Sequence, residues 1–386
     1  MSELTHPAFA LSDDDRAIYD MAAGFAAVEI APHAIEWDEK KHFPTDVLRA
    51  AAELGMGGLY VRDDIGGSGL TRLQTVLVCE ALATGCPSVA AYLSIHNMVL
   101  GMIDRFGDEA TRQKFLPNLI TMERLASYCL TEPGAGSDAA ALKTRARREG
   151  DFYILDGVKQ FISGAGAADV YAVMARTGED GPKGISCILI EKDTPGLSFG
   201  ANEKKMGWNA QPTRQVIMDG VKVPVSNRLG AEGDGFKIAM IGLDGGRINI
   251  SACSLGGAQA ALDKAAAYLQ ERVAFGKKLA DFQALQFRLA DMAIELEAAR
   301  IMLYGAAASL DRKDADATWR CAAAKRFVTD TGSKVANDAL QLLGGYGYLN
   351  EYGIEKIVRD LRVHQILEGT NEIMRLIVAR ALTAPR

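Results

Sequence analysis

Near its carboxyl end the chain places a glutamate, Glu368, between the apolar pair 366–367 and Gly369. A carboxylate beside apolar side chains loses hydration when a ligand covers it, and this loss raises its pKa toward the range that suits proton abstraction. Gly369 gives the backbone room to turn, and Thr370 suits the N-cap of a helix that begins near Asn371. The pattern predicts a catalytic base at Glu368; the alternative from these residues alone is a solvated loop carboxylate.

The segment 128–138 contains glycines and hydroxyl side chains that could surround a ligand. Its glycines let backbone amides approach closely, and Thr131 and Ser137 offer hydroxyl donors. Farther along, Phe161 could flank a flat ring and Ser163 could hydrogen-bond to a ring heteroatom. Taken alone, the first pattern is equally that of a turn and the second that of a strand end.

Two further motifs lie in the last third of the chain. Arg272 precedes Gly276, and a guanidinium close to a glycine suits a pyrophosphate. Residues 341–348 end a helical pattern with glycines that would allow a neighbouring chain or a cofactor to approach. The alternatives are a surface ion pair, which contributes little to stability, and ordinary helix termination.

The composition is that of an ordinary globular protein. Its 386 residues exceed the roughly 250 to 300 that usually share one hydrophobic core, so two or three subdomains are expected. Hydrophobic residues make up 48%, and no uninterrupted apolar stretch approaches the roughly 18 residues of a membrane span. The net charge of -6 argues against a polyanion partner, because nucleic-acid binders carry a clustered basic face. We expect neither membrane insertion nor nucleic-acid binding.

The cysteines and histidines favour neither disulfides nor a metal site. Six cysteines are scattered among apolar neighbours without a Cys-x-x-Cys pair, which predicts buried free thiols in a reducing compartment. The five histidines lack metal-binding spacing. Residues 1–15 contain neither a basic head with an apolar run nor an Arg-rich presequence. We expect a bacterial cytoplasmic protein, or a processed organellar one, for example from the mitochondrial matrix.

The first part of the chain, residues 12–124, has a helical pattern with N-cap candidates at Ser12, Thr45 and Thr71. Long helical stretches return later, at about 236–270, 284–310 and 315–343, and their alanine content permits close packing. Because strands and helices do not alternate, a doubly wound nucleotide-binding fold is not expected.

Between these parts, residues 127–235 alternate with period two and predict an antiparallel β domain. The dipeptides Asp156-Gly157 and Asp219-Gly220 predict two tight hairpin turns. The fold class is α+β, with an N-terminal α-helical domain (1–125), a middle antiparallel β domain (126–237) and a C-terminal helical bundle domain (238–386).

Together and in this order, the motifs resemble those of the acyl-CoA dehydrogenase family over essentially the whole chain. They comprise residues 128–138, 271–276 with Phe282 and Gln283, 341–348, and 359–375. The resemblance implies that the last domain is a four-helix bundle, that FAD is the cofactor and that the substrate is an acyl-CoA. It further implies electron-transferring flavoprotein as the electron acceptor and a homotetramer, a dimer of dimers, in which some FAD contacts come from a second subunit.

The resemblance also implies roles for individual residues. Glu368 would remove the α-proton of the thioester while the β-hydride passes to flavin N5. The residues implied to hold FAD are Tyr128, Leu130, Thr131, Phe161, Ile162, Ser163, Arg272, Phe282, Gln283, Gln341, Leu342, Gly344, Gly345, Thr370 and Glu372. Those implied to bind the acyl-CoA are Ser137, Asp244, Arg247 and Arg380. Many relatives carry glutamine at the position of Glu372.

Three stretches, 207–214, 244–250 and 363–368, resemble members that act on short branched acyl groups, as in the degradation of valine and other branched-chain amino acids. Leu367 stands where the family often has tyrosine, which would reshape the acyl pocket. The alternatives are a 2-methylbutyryl or straight short-chain substrate, an acyl-CoA oxidase and a non-enzymatic scaffold. Isovaleryl-type members carry their base at the position of Gly246, and glycine cannot act as a base.

Overall fold

The computed structural model describes residues 11–383, which form helices, then a β sheet, then helices again. Residues 1–10, which include most of the segment analysed for a targeting sequence, lie outside the described part. The first helices are α1 (Asp13–Phe25), α2 (Ala34–Lys40), α3 (Thr45–Glu53), α4 (Arg72–Gly85), α5 (Pro87–Phe106) and α6 (Glu109–Ile120). Ser12 and Thr71 each form a capping box, so both predicted N-caps are confirmed. Thr45 is instead the first residue of α3, after Pro44.

The middle of the chain forms one sheet. Its strands are β1 (Ala126–Cys129), β2 (Arg145–Glu149), β3 (Phe152–Ser163), β4 (Val170–Arg176), β5 (Ile185–Glu191), β6 (Leu197–Phe199), β7 (Thr213–Pro224) and β8 (Arg228–Leu229). The order is β6-β7-β3-β2-β4-β5-β8, with β1 paired to β4. Most neighbours are antiparallel, as predicted, whereas β1 and β2 run parallel to β4.

The two predicted hairpin turns are wrong. Asp156-Gly157 lies inside β3 and Asp219-Gly220 lies inside β7. These strands are antiparallel neighbours whose register shifts after Leu155, so the two dipeptides face each other across an irregular stretch of the ladder. The Gly220 N–H donates to Asp156 Oδ1 at 2.8 Å. Both glycines have positive φ, 150° and 62°, which accommodates a bulge inside continuous strands instead of a chain reversal.

The carboxyl-terminal part consists of α7 (Gly235–Glu271), a short hairpin of β9 (Val273–Ala274) and β10 (Lys277–Lys278), α8 (Gln283–Asp311), α9 (Ala317–Leu343), α10 (Ile354–Arg362) and α11 (Asn371–Thr383). The three long helices lie within a few residues of their predicted positions. Glu80 on α4 accepts hydrogen bonds from Arg300 Nε at 2.9 Å and from the Tyr304 hydroxyl at 2.7 Å. Because removing one partner of a buried ion pair costs about 3–5 kcal/mol, this cluster fixes α4 against α8.

All six cysteines are buried and free, as predicted. Burial raises the pKa of the Cys187 thiol to about 12, which leaves it protonated and unreactive at neutral pH. Across residues 11–383, we find no helix that combines the length and the apolar character needed to cross a bilayer.

Candidate active site

Glu368 lies in a tight turn between α10 and α11. After α10 the chain makes a 3₁₀ turn, Val363–Gln365, and Glu368 and Gly369 then adopt left-handed φ angles of 56° and 88°. For a residue with a Cβ atom this conformation costs about 1–3 kcal/mol, which contacts with the surroundings must offset. Thr370 Oγ1 accepts a hydrogen bond from the Ile373 N–H at 3.3 Å, as expected of the N-cap of α11.

Glu368 is half-buried, but one oxygen of its carboxylate is buried and uncompensated. Its Oε2 is inaccessible to water and has no hydrogen-bond partner among residues 11–383. Burial raises the pKa of Glu368 to about 7, and the positive charges of Arg247 and Lys325 limit the rise. A carboxylate whose pKa lies near neutrality can take up a proton at working pH, which is the requirement for a general base.

Arg247 and Lys325 fix the backbone around Glu368. Arg247 Nε donates to the Glu368 carbonyl at 3.4 Å, and its Nη1 donates to Asp244 Oδ1 at 2.6 Å. Lys325 Nζ donates to the Gly369 carbonyl at 2.8 Å, and burial lowers the pKa of Lys325 to about 8. Two residues predicted to contact substrate, Asp244 and Arg247, therefore lie directly beside the turn that carries Glu368.

Sequence reasoning missed Lys325. It lies in an alanine-rich stretch of α9, residues 321–328, and it is fully buried. Since a lysine is almost never fully buried unless it is paired, its position on an otherwise apolar helix face was the available signal. What the sequence could not reveal is its partner, because Gly369 belongs to a different element.

The carboxylate of Glu368 packs against α7 at Gly246. A Cβ atom at this position would lie 2.5 Å from Glu368 Oε2, so any larger residue would displace the carboxylate from its present place. The preceding Gly245 faces Arg72 in the same manner, with its Cβ position 2.9 Å from Nη1. The Arg72 guanidinium stacks on the Tyr60 ring at 3.7 Å, and its Nη1 is buried without a partner in the described part of the chain. The helices α4 and α7 thus bring a cation with one buried, unpartnered nitrogen beside Gly245, the neighbour of Gly246.

In the β domain, the chain after β1 lies beside the end of β3. The Gln160 N–H donates to the Thr131 carbonyl at 2.8 Å, and the Ser127 hydroxyl donates to the Ser163 carbonyl at 2.7 Å. Phe161 adopts a φ of 59° and leaves 63% of its surface exposed, which makes its ring available to a ligand. The structure therefore brings together the six residues of this domain that were predicted to hold the cofactor: Tyr128, Leu130, Thr131, Phe161, Ile162 and Ser163.

Tyr128, in this part of the β domain, lies close enough to Glu368 to feel its charge. Its hydroxyl is buried and makes no hydrogen bond within residues 11–383. Burial raises the pKa of Tyr128, and the nearby Glu368 carboxylate raises it further. A buried hydroxyl without a partner costs about 1–3 kcal/mol. The two domains thus direct unsatisfied polar atoms toward one region, which is where a polar ligand would be stabilised.

A cavity of about 560 Å³ lies beside the ends of α7 and α9. Its lining includes five residues predicted to hold the dinucleotide: Arg272, Gln341, Leu342, Gly344 and Gly345. The Arg272 guanidinium lies 5.5 Å from the centre of the Tyr346 ring. No atom lies within 4 Å of the Cβ position of Gly344 or Gly345, so the backbone there is open to a ligand. A guanidinium, an aromatic ring and an open glycine backbone fit the adenine dinucleotide half of FAD.

The remaining predicted residues lie at the edges of these regions. Phe282 directly precedes α8 and Gln283 is its first residue, and the Phe282 ring packs edge-on against Phe275 at 6.2 Å. Ser137, Glu372 and Arg380 are exposed and make no hydrogen bond with Glu368. Glu372 instead pairs with Arg375 at 3.1 Å on the surface of α11.

Comparison with known proteins gives a consistent result. The acyl-CoA dehydrogenase N-terminal, middle and C-terminal domains match residues 12–123, 127–221 and 233–383 in turn. The mitochondrial isobutyryl-CoA dehydrogenase of Bos taurus is 56% identical over 376 residues, which cover 97% of this chain and 90% of that protein. Butyryl-CoA dehydrogenase from Megasphaera elsdenii superposes with a TM-score of 0.94 at 40% identity, covering 97% of this chain and 99% of that one.

A second solved structure is equally similar. It is a chain from work on the electron transferring flavoprotein of Acidaminococcus fermentans and the mechanism of flavin-based electron bifurcation. It superposes with a TM-score of 0.95 at 40% identity, and the match covers 98% of this chain and 100% of that chain.

Proposed function

The chain belongs to the acyl-CoA dehydrogenase family, and on this premise we propose that it converts isobutyryl-CoA to methacrylyl-CoA with Glu368 as the catalytic base. The family, the α-β-α fold and the dependence on FAD predicted from the motifs are confirmed. The protein is an FAD-dependent acyl-CoA dehydrogenase. The assignment of isobutyryl-CoA rests on the similarity to the bovine isobutyryl-CoA dehydrogenase, whose printed name gives that substrate.

The observation that carries the proposed mechanism is the unpartnered Oε2 of Glu368. An α-proton of a thioester is only weakly acidic, so its removal requires a base that is desolvated and held in place. Burial raises the pKa of Glu368 to about 7, and the Glu368 turn is held at two carbonyls, by Arg247 and by Lys325. No other buried carboxylate oxygen in residues 11–383 lacks a hydrogen-bond partner.

The backbone at Glu368 also provides a donor. In its left-handed conformation, the Glu368 N–H makes no hydrogen bond within residues 11–383 and is therefore free to bind the thioester oxygen. Negative charge develops on that oxygen as the α-proton leaves, and a fixed N–H donor stabilises it without reorganisation. One residue would thus supply both the base and one hydrogen bond to the developing enolate.

FAD, when bound, supplies the two-electron acceptor that takes the hydride from the β-carbon of the acyl group. We assign its ring to the ends of β1 and β3, at Tyr128, Leu130, Thr131, Phe161, Ile162 and Ser163. We assign its adenine dinucleotide half to the cavity beside Arg272 and Gln341–Gly345, with Phe282, Gln283, Thr370 and Glu372 at the edges. Asp244 and Arg247 would contact the acyl-CoA beside the base, and Ser137 and Arg380 would contact its CoA portion.

Exposed apolar side chains support self-association into a homotetramer. On α8, Phe287 and Ile294 are 60% and 66% exposed, and Phe275 and Tyr348 expose even more of their surface near the dinucleotide cavity. Large exposed apolar side chains favour burial against a second copy. Sedimentation equilibrium of wild type and Ile294→Asp tests this proposal; a monomeric wild type would contradict it.

The reduced flavin requires a second redox partner, and we propose electron-transferring flavoprotein. A similar chain comes from structural work on such a protein from Acidaminococcus fermentans. For the compartment, the six free thiols support a reducing one, such as a bacterial cytoplasm or a mitochondrial matrix.

The decisive experiment measures anaerobic bleaching of the FAD-loaded protein with isobutyryl-, 2-methylbutyryl- and butyryl-CoA, for wild type and Glu368→Gln. We expect the highest kcat/KM with isobutyryl-CoA, and a loss of several orders of magnitude in the variant, which still binds FAD and acyl-CoA. A clear preference for butyryl-CoA would contradict the substrate. Near-normal bleaching of the variant would contradict the base. Peroxide formation during aerobic turnover would favour an oxidase.

A further inference from the structure

His364 connects the 3₁₀ turn before Glu368 to two distant elements. Its Nδ1 lies 2.7 Å from the Ser254 hydroxyl on α7. Its Nε2 lies 3.2 Å from Nε1 of Trp208, which belongs to the segment that precedes β7. Both His364 and Ser254 are fully buried and Trp208 is 5% exposed, so solvent does not compete for these hydrogen bonds.

The tautomer of His364 follows from its partners. An indole N–H can only donate, so Nε2 must accept and the ring proton must sit on Nδ1, from where it is donated to Ser254 Oγ. Burial and, to a smaller extent, the charge of Lys325 together lower the pKa of His364 to about 3. The ring is therefore neutral at working pH, and it acts as a fixed link between its partners and not as a proton carrier.

Trp208 is itself held rigidly. Its backbone adopts a left-handed φ of 56°, and its backbone N–H donates to Asp360 Oδ1 at 2.5 Å. Asp360 also accepts from Lys356 Nζ at 2.7 Å, so the acceptor is fixed by a buried ion pair. The preceding Gly207 packs on α10, where a Cβ atom would lie 2.5 Å from the Arg359 carbonyl. The indole N–H thus has a defined position relative to the bundle.

The 3₁₀ turn that carries His364 leads directly into the base. The N–H groups of Ile366 and Leu367 both donate to the Val363 carbonyl, at 2.9 and 3.1 Å. Downstream of the base, Lys325 holds the Gly369 carbonyl. The strained Glu368 backbone is therefore fixed on both sides. On the upstream side the contacts are those of His364, which is fully buried, and of Gln365, whose Nε2 donates to Asp330 Oδ1 at 2.7 Å.

We propose that Trp208, His364 and Ser254 form a positioning relay that sets the place of the Glu368 carboxylate above the substrate and couples it to the β domain. This inference rests on the proposed role of Glu368 as the base. His364 is a positioning residue, because it acts through the backbone of the turn and touches no reacting atom. The relay links the segment 205–214 of the β domain, which leads into β7, to the turn that carries the base.

The test uses variants that each preserve one of the two hydrogen bonds. In His364→Asn the amide nitrogen occupies the place of Nδ1 and keeps the bond to Ser254; in His364→Gln the amide oxygen reaches the place of Nε2 and keeps the bond from Trp208. Trp208→Phe removes the indole donor and retains a ring. With the FAD-loaded protein and isobutyryl-CoA, we expect flavin reduction to fall about 10- to 100-fold in His364→Ala, because a displacement of about 1 Å can cost about 100-fold.

The relay makes a more specific prediction for double variants. Trp208→Phe and His364→Asn break the same hydrogen bond, so the double variant should reduce flavin no more slowly than the slower single variant. Binding of an unreactive thioether analogue of isobutyryl-CoA should stay within about threefold of wild type, since the relay positions the base and does not contact ligand. The conservative His364→Gln should recover most of the rate lost in His364→Ala.

The matched control is His96→Asn. His96 is also fully buried and doubly hydrogen-bonded, to the Leu119 carbonyl and the Ala126 N–H, but it does not adjoin Glu368. We expect it to lower the melting temperature without slowing flavin reduction. The relay is overturned if His364→Ala keeps the wild-type reduction rate, if His364→Gln is as slow as His364→Ala, or if His96→Asn slows reduction equally. If Glu368→Gln itself reduces flavin normally, the proposed base fails instead.

Discussion

The carboxylate of Glu368 rests on the backbone of Gly246, with Oε2 2.5 Å from the place that a Cβ atom would take. Gly246 lies on α7 and Glu368 in the turn after α10, so two distant parts of the chain define one contact. A side chain at either position restricts the other. A base placed on α7 at position 246 would therefore exclude the present position of Glu368.

We expect Gly246→Ala to displace the carboxylate and to slow flavin reduction by about 100-fold, because a shift of about 1 Å is enough for such a loss. FAD content should not change. The measurement is stopped-flow bleaching with isobutyryl-CoA. Gly305→Ala on α8 is the control, because no atom lies within 4 Å of its Cβ position; it should keep the wild-type rate and gain up to about 1 kcal/mol of stability from the better helix former.

The rate of flavin reduction should rise with pH through about 7, since the pKa of Glu368 is raised to about 7 and only the carboxylate accepts a proton. Lys325→Met removes a positive charge that opposes this rise, so the apparent pKa should increase and the rate at neutral pH should fall. Lys334→Met, at an exposed lysine of the same helix, should leave the profile in place. A profile that is flat between pH 6 and 8 would contradict the assignment of the titrating group.

We expect Arg272→Gln to weaken FAD retention, because Arg272 lines the dinucleotide cavity and would pair with the pyrophosphate. A lost hydrogen bond to a charged group costs about 1.5–3 kcal/mol, which corresponds to about a 10- to 100-fold increase in Kd. Fluorescence titration of the flavin-free protein with FAD measures it. Arg320→Gln removes an exposed arginine that pairs with Asp316 and should bind FAD normally; equal weakening in both variants would argue against a specific contact.

Two buried histidines should make the protein sensitive to acid. Burial lowers the pKa of His96 to about 4 and that of His364 to about 3. The unfolded chain takes up protons on them below about 6.5, whereas the folded protein does not, so stability is present above that pH and falls as the pH is lowered toward 4. Each group contributes up to about 1.4 kcal/mol per pH unit.

Denaturant unfolding at several pH values tests this prediction. His96→Asn should have a smaller slope of unfolding free energy against pH between 6.5 and 4 than the wild type. An unchanged slope would contradict a lowered pKa of His96 in the folded protein.

The helices and the Glu368 turn were predictable from the sequence because their signals are local. Periodicity located the long helices, and the capping residues Ser12 and Thr71 marked helix starts through hydrogen bonds within one turn. The hairpin turns predicted from the Asp-Gly dipeptides were wrong because a non-local interaction decides the structure there. Asp156-Gly157 has the composition of a hairpin turn, but its strand continues because β7 pairs with both sides of it, which is a non-local interaction.

The contacts that distinguish the site were not predictable. Lys325 reaches Gly369, and His364 joins Trp208 to Ser254, each across a large separation in sequence. A single sequence shows a buried lysine or histidine as an unusual residue on an apolar face and nothing more. Only the fold supplies the partner, and only the partner distinguishes a structural role from one in positioning the base.

The unpartnered oxygen of Glu368 serves the proposed chemistry but lowers the stability of the folded protein. A carboxyl whose pKa is raised on folding weakens the native state at every pH above its unfolded value of 4.5, and most strongly above 7. Replacement by a neutral side chain of equal size should make the protein harder to unfold while abolishing its chemistry. The substitution that stabilises the fold at this position is therefore the one that removes the proposed base.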